Sequence, residues 1–116
     1  MTNDEMMEAD RLQLNEHSRE VHEAAFLELQ RLANGGEPTN IHCGICANLD
    51  DALEDTRGGT GVNGYDYASG VFYALGYRTI YPLGYVSMEP WEGEDGIARR
   101  ELAGRMADWI RDTFLS

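Results

Sequence analysis

Two cysteines set two residues apart, in Cys43-Gly44-Ile45-Cys46, form the sharpest local motif of this chain. A redox pair of this kind wants a helix N-terminus, whose dipole lowers the first thiol's pKa and activates its thiolate. A helix predicted directly after Cys46 meets half of that condition. The alternating strand–helix pattern of a thioredoxin-like domain is missing. A zinc site would need two further ligands, and only His17, His22 and His42 could supply them, with no second cysteine pair. The plainer reading is two small, partly buried thiols at a strand–helix junction. No metal site and no cofactor is expected.

Other motifs offer less. Asp50-Asp51 and Glu54-Asp55 lie along a predicted helix face, not in a tight oxygen-rich loop, so they read as a solvated face and not as a cation site. Gly58-Gly59-Thr60-Gly61 lacks the Gly-Lys-Ser/Thr ending of a phosphate loop. All nine Lys or Arg positions are arginine, so a Walker-type hydrolase is excluded and the segment reads as a loop. Ser69-Gly70 lacks the glycine-flanked nucleophile elbow. No catalytic residue is assigned, and the chain is expected not to be an enzyme.

Arginine and aromatic chemistry remains. The six tyrosines, Trp91 and Arg99-Arg100 could sandwich a nucleobase and hold a phosphate, with a helix N-terminus adding amide donors. Tyr81, Trp91, Arg99 and Arg100 are the candidate ligand-binding residues; Cys43 and Cys46 are the minor redox alternative. The competing reading has the tyrosines filling a small core while the arginines neutralise nearby carboxylates.

The elements that must position these groups follow from pattern and punctuation. Thr2 and Glu5 have capping-box spacing and Asn34-Gly35-Gly36 is a stop, which predicts one N-terminal helix. Its first half is sparsely apolar, so residues 1–19 read as a polar helical extension and 20–116 as one globular domain. Val21, Ala25, Leu29 and Leu32 form the apolar stripe of its second half. Leu14, Val21, Ala25 and Leu32 also approximate a heptad seam, a possible homodimer contact through this helix. Ile45, Leu49, Ala52 and Leu53 predict a short second helix. The tyrosine-rich segment 65–86 is broken by Gly70, Gly76, Pro82 and Gly84 and is rich in strand formers, which predicts short strands. A last helix is expected over about 97–114. The expected fold is α+β: two or three helices packed on a small irregular antiparallel sheet.

With 21 acidic residues and a formal charge of −12, direct binding to nucleic acid or to an anionic membrane surface is disfavoured. No run approaches a membrane span and the N-terminus lacks a signal peptide's positive start, so the expected compartment is the cytoplasm.

The pattern Gly44-Ile45-Cys46-x-Asn48, Ser69-Gly70, Tyr81-Pro82 and Trp91-x-Gly93-x-x-Gly96-x-x-Arg99-x-x-Leu102 resembles small proteins encoded by tailed bacteriophages. The likeness spans about residues 25–110 and departs at Leu83, where those chains often carry valine. It implies a phage accessory protein in the host cytoplasm, with no catalytic assignment, and shifts weight from Cys43 toward Tyr81, Trp91 and Arg99. Three functions compete. The leading expectation is a non-enzymatic accessory protein that binds and inhibits a host enzyme or defence system, in one form as a nucleic-acid mimic built on the acids of residues 4–28 and 50–55. The second is a small-nucleotide-binding, sequestering protein. The third is a Cys-x-x-Cys thiol oxidoreductase.

Overall fold

The computed structural model describes residues 2–39, 44–54, 62–83 and 91–116. Among these the regular elements are helices: α1 (Asn3–Gln13), α2 (Arg19–Ala33), α3 (Ile45–Glu54), α4 (Gly64–Ala74) and α5 (Gly93–Ile110), with a 3₁₀ turn at Leu14–Glu16 and a π-turn at Arg111–Leu115. The described residues contain no strand. The expected α+β fold with an antiparallel sheet is therefore wrong, and the helices pack on one another.

The error lies in the tyrosine-rich segment. Asn63 caps α4, its side chain accepting from the Tyr65 and Asp66 amides, so a strong start signal precedes the strand formers. Tyr67, Ala68, Val71 and Phe72 then fall on one helical face and are buried. Gly70 is not a breaker. A methyl group placed there would sit 2.7 Å from the Asp10 carbonyl oxygen and 3.0 Å from Arg11 Cα. The glycine exists so that the α1 and α4 backbones can touch. Gly76, at φ +101°, ends the helix: its amide donates to Tyr73 O and the Tyr77 amide to Phe72 O, both at 3.0 Å. That is the paired hydrogen bonding of a Schellman stop. Propensity for strand, worth well under 1 kcal/mol per residue, loses to a cap, a stop and a buried face.

The single N-terminal helix is likewise two. Thr2 caps α1, accepting from the Glu5 amide at 3.1 Å and donating to its carboxylate at 3.0 Å. The helix then tightens through Leu14–Glu16, and Ser18 caps α2 by accepting from the Val21 amide. The serine that interrupts the apolar seam is the start of the next helix. Met7 and Leu14 enter the same core as α2, and α1 lies along α4 while α2 packs on α5. The seam residues Leu14, Val21, Ala25 and Leu32 are buried inside this one chain.

α5 begins at Gly93, earlier than the expected 97, because Gly96 fits under the Trp91 backbone and its amide donates to Glu92 O. Leu102, Ala103, Met106, Ala107 and Ile110 face the core.

A separate aromatic cluster ties α2, α4 and the C-terminal π-turn. His22 is 2% exposed, lies 2.7 Å from the Tyr67 hydroxyl through Nδ1, and stacks on Phe114 at 3.8 Å between ring centroids. Desolvation by burial, with His17 nearby as the second cause, lowers its pKa from 6.5 to about 4. The folded chain therefore holds His22 neutral, and its contribution is fully present above pH 6.5 and lost as pH falls toward 4. The depression corresponds to about 3 kcal/mol.

Two outcomes follow. Gly70→Ala should lower stability by about 1–3 kcal/mol, the scale of overpacking against a backbone that cannot yield, measured by urea unfolding; an unchanged midpoint would contradict the close approach. NMR titration of the His22 ring should give a midpoint near 4, and a value near 6.5 would contradict its burial.

Candidate functional site

Where the start of α3 meets α1, α4 and α5, the chain leaves a cleft of about 420 Å³. That volume falls in the range of roughly 300–1,000 Å³ that holds small ligands. Its walls are mainly apolar, with Met6 and Met7 from α1, Ile45 from α3, Phe72 from α4 and Leu102 from α5. Close helix contacts set the spacing of these walls. Gly64, whose missing side chain lets the α4 backbone meet Asp50, also donates its amide to the Asp50 carboxylate at 2.8 Å. That bond ties the start of α4 to α3.

The cleft has one basic lining residue among the described residues. Arg99, 4% exposed, lines it from α5. A methyl on Gly44 would meet Arg99 Nε at 3.7 Å, so the guanidinium group lies against the entry to α3. Asn48 fixes that entry by donating from its side-chain amide to Gly44 O at 2.9 Å. Ile45, Cys46 and Ala47, the first turn of α3, also line the cleft, and first-turn amides have no partner within their own helix. Desolvation by burial lowers the Arg99 pKa, opposed by the negative charge of Asp95. A guanidinium group remains charged at neutral pH under such a shift.

The cleft lining also carries acids. Asp10 and Asp66 line the cleft together with Ser69. Burial raises the Asp10 pKa; a hydrogen bond from Ser69 opposes this, and the nearby Asp66 charge adds to it. Neither carboxylate forms an ion pair among the described residues.

The rim is carried by Tyr65, Ile80, Tyr81 and Leu83, all substantially exposed. The segment bearing Ile80 and Tyr81 is held by α1: Asn3 donates to Arg78 O at 2.9 Å and Asp4 pairs with the Arg78 guanidinium at 2.9 Å. The exposed ion pair adds little stability by itself, but with the Asn3 bond it sets where Tyr81 stands.

The predicted ligand-binding residues thus divide. Tyr81 and Arg99 line one cleft. Trp91 is buried behind it, with the Arg99 and Arg100 guanidinium carbons 5.9 and 5.4 Å from its ring. Arg100 turns away and donates to Leu32 O at 2.7 Å and Gly36 O at 2.8 Å, closing the end of α2. The tyrosines are dispersed: Tyr67 joins His22, Tyr73 lies under Arg78, and Tyr77 accepts from Arg105. Asp10, Asp66 and Ser69 were not singled out for this cleft by sequence. Ser69 stands in a quoted motif, but no spacing marks Asp10 among 21 acids.

Cys46 lines the cleft within α3, and burial pushes its thiol up to about 11. This opposes activation of that sulfur. Cys43 and the loop at 58–61 lie outside the described residues. No three His, Cys, Asp or Glu side chains gather as a metal site among the described residues, and none of their helices is long and apolar enough to cross a membrane. Of the acids considered for nucleic-acid mimicry, Asp4, Glu23 and Glu28 are paired with Arg78, Arg19 and Arg31. Asp50 is bonded to the Gly64 amide.

Comparison with protein-family models, curated proteins and solved structures finds no match.

In a Cys43→Ser background, alkylation of Cys46 by iodoacetamide at pH 7.5 should run far more slowly than in the urea-unfolded chain. The folded rate should climb toward pH 11. Equal rates in the two states would contradict the buried thiol.

Proposed function

We propose that this chain is a non-enzymatic small-molecule-binding protein. Its ligand is a nucleotide carrying one phosphate, such as a nucleoside monophosphate or cyclic mononucleotide. The observation that carries the reading is the Arg99 guanidinium group lining an apolar cleft beside the first turn of α3. A phosphate at that corner gains a charge-assisted pair and amide donors in surroundings that exclude water, where such bonds are strong. The flat base lies between Phe72 and the apolar side chains of α1, and Tyr81 at the rim can cover it.

The number of charges narrows the class. Arg100 donates to Leu32 O and Gly36 O at the end of α2, and Arg99 is the described arginine that lines the cleft. Asp10 and Asp66 stand in the same cavity and repel further negative charge. Di- and triphosphates are therefore poorer ligands than single phosphates. The same wall argues against an extended polyanion. Nucleotide binding at a local positive corner is compatible with the overall charge of −12, because the fields of distant surface acids are screened over about 8–10 Å.

Calorimetry against mono-, di-, tri- and cyclic nucleotides tests this. Single-phosphate forms should bind at one site, with triphosphates weaker. Arg99→Gln should weaken binding by roughly tenfold or more, the scale of a hydrogen bond to a charged group at about 1.5–3 kcal/mol. Flat titrations across the whole panel would overturn the proposal.

A further inference from the structure

We propose that the C-terminal turn Arg111–Leu115 is an acid-released strap, latched at neutral pH by the buried ring of His22. The turn has few other anchors. Arg111, Asp112 and Thr113 are exposed, while Phe114 and Leu115 are partly buried against the core. Phe114 stacks on His22 with ring centroids 3.8 Å apart and planes within 5° of parallel, and meets Trp109 edge-on at 5.6 Å. Arg19 donates to Leu115 O at 3.1 Å, a bond exposed to water. A segment with so little buried contact opens at low cost, ahead of the rest of the fold.

The latch holds while the ring is neutral. Nδ1 lies 2.7 Å from the Tyr67 hydroxyl, and Nε2 is buried with no hydrogen-bond partner among the described residues. An imidazolium donates from both nitrogens. Protonation in place would therefore bury a charge with one donor unsatisfied, which is costly. The ring's ionisable neighbours give a cation no support: from α4 it meets the Tyr67 hydroxyl, and from the turn before α2 it meets His17 at 6.1 Å between centroids. Carboxylates on the surrounding elements are engaged or turned to water. Asp108 of α5 and Asp112 of the turn pair with Arg111, and Glu23 of α2 pairs with Arg19. Asp66 of α4 and Asp51 and Glu54 of α3 are exposed, and Glu16 acts on His17.

Opening the turn lifts Phe114 off one face of the ring and lets water reach it. Burial, then His17, holds the covered ring near 4, with the Leu14 carbonyl opposing them, against 6.5 for a ring in water. The open form therefore takes up the proton first as pH falls. The closing contribution of His22 is fully present above pH 6.5 and lost toward pH 4. Where opening frees the ring fully, the open-to-closed ratio rises roughly 25-fold between pH 7.5 and 5. Release uncovers the Phe114 and Leu115 side chains and the face of α2 on which they lie. The strap stands on contacts separate from the cleft, so this inference goes beyond the nucleotide reading and does not depend on it.

The test is amide hydrogen exchange of the full chain by NMR at pH 7.5 and 5, with each rate corrected for the intrinsic effect of pH. Protection of the amides in residues 112–115 should fall about tenfold or more at pH 5, while those of Leu102 to Ala107 in α5 keep theirs. His22→Phe retains a ring to stack on Phe114 and removes the proton site, so its turn should be equally protected at both pH values. If that variant fails to fold, as judged by circular dichroism, Phe114→Ala serves instead. It removes the clasp, and its turn should exchange freely at pH 7.5. Unchanged protection in the wild type would overturn the proposal. So would an equal loss in α5, which means global opening, or a loss that persists in His22→Phe, which assigns the response to another group. Protection of the turn at pH 7.5 surviving Phe114→Ala would overturn it as well.

Discussion

The approach of α1 to α4 at Gly70 is the contact on which the rest of the structure depends. With a hydrogen in place of a side chain, the Asp10 carbonyl and Arg11 Cα come within about 3 Å of where a methyl group would stand. The two helices are thereby locked at backbone distance. Ser69, one residue earlier and also small and buried, reaches Asp10 from the same contact. A larger residue at either place would push α1 outward and widen or fill the cleft. Stability and site thus draw on the same small residues, because close packing at one end of a helix pair sets the space left at the other.

A second layer of constraint comes from backbone groups at helix ends satisfied by side chains. Asp50 receives the Gly64 amide, Asn48 holds Gly44 to the first turn of α3, and Arg100 takes two carbonyls at the end of α2. Each polar side chain ends or starts a helix that it does not belong to, or tightens its own entry. Helix ends leave unpaired backbone groups, and a small domain has few residues with which to satisfy them. Of two adjacent arginines, Arg100 closes α2 and Arg99 lines the cleft. Their positions on α5 differ by a single residue, which on a helix is a rotation of about 100°.

Helix existence was readable where start and stop chemistry was local. Thr2 with Glu5, the spacing of Ile45, Leu49 and Leu53, and the stop at Asn34-Gly35-Gly36 all correspond to observed elements. The tyrosine-rich segment reads as strands in sequence because its glycines look alike there and differ in duty. Gly70 permits a contact, whereas Gly76, at positive φ, ends a helix. Only the partner across the interface tells these apart. Ser18 failed for a related reason: a serine within an apolar stripe is an interruption if the helix runs on and a cap if it restarts.

By itself the sequence determined the charge, the absence of lysine and of a phosphate loop, and the apolar stripes of α2 and α3. These are properties of composition and local spacing, which act over a few residues. Tertiary structure alone decided that the fold is helical among the described residues, that Arg99 and Tyr81 share a cleft while Arg100 and Trp91 serve its surroundings, and that Asp10 and Asp66 line its walls. Asp10 and Ser69 are far apart along the chain and meet only because two helices touch at Gly70. No local pattern records such a contact, since what selects it is the volume left between packed backbones.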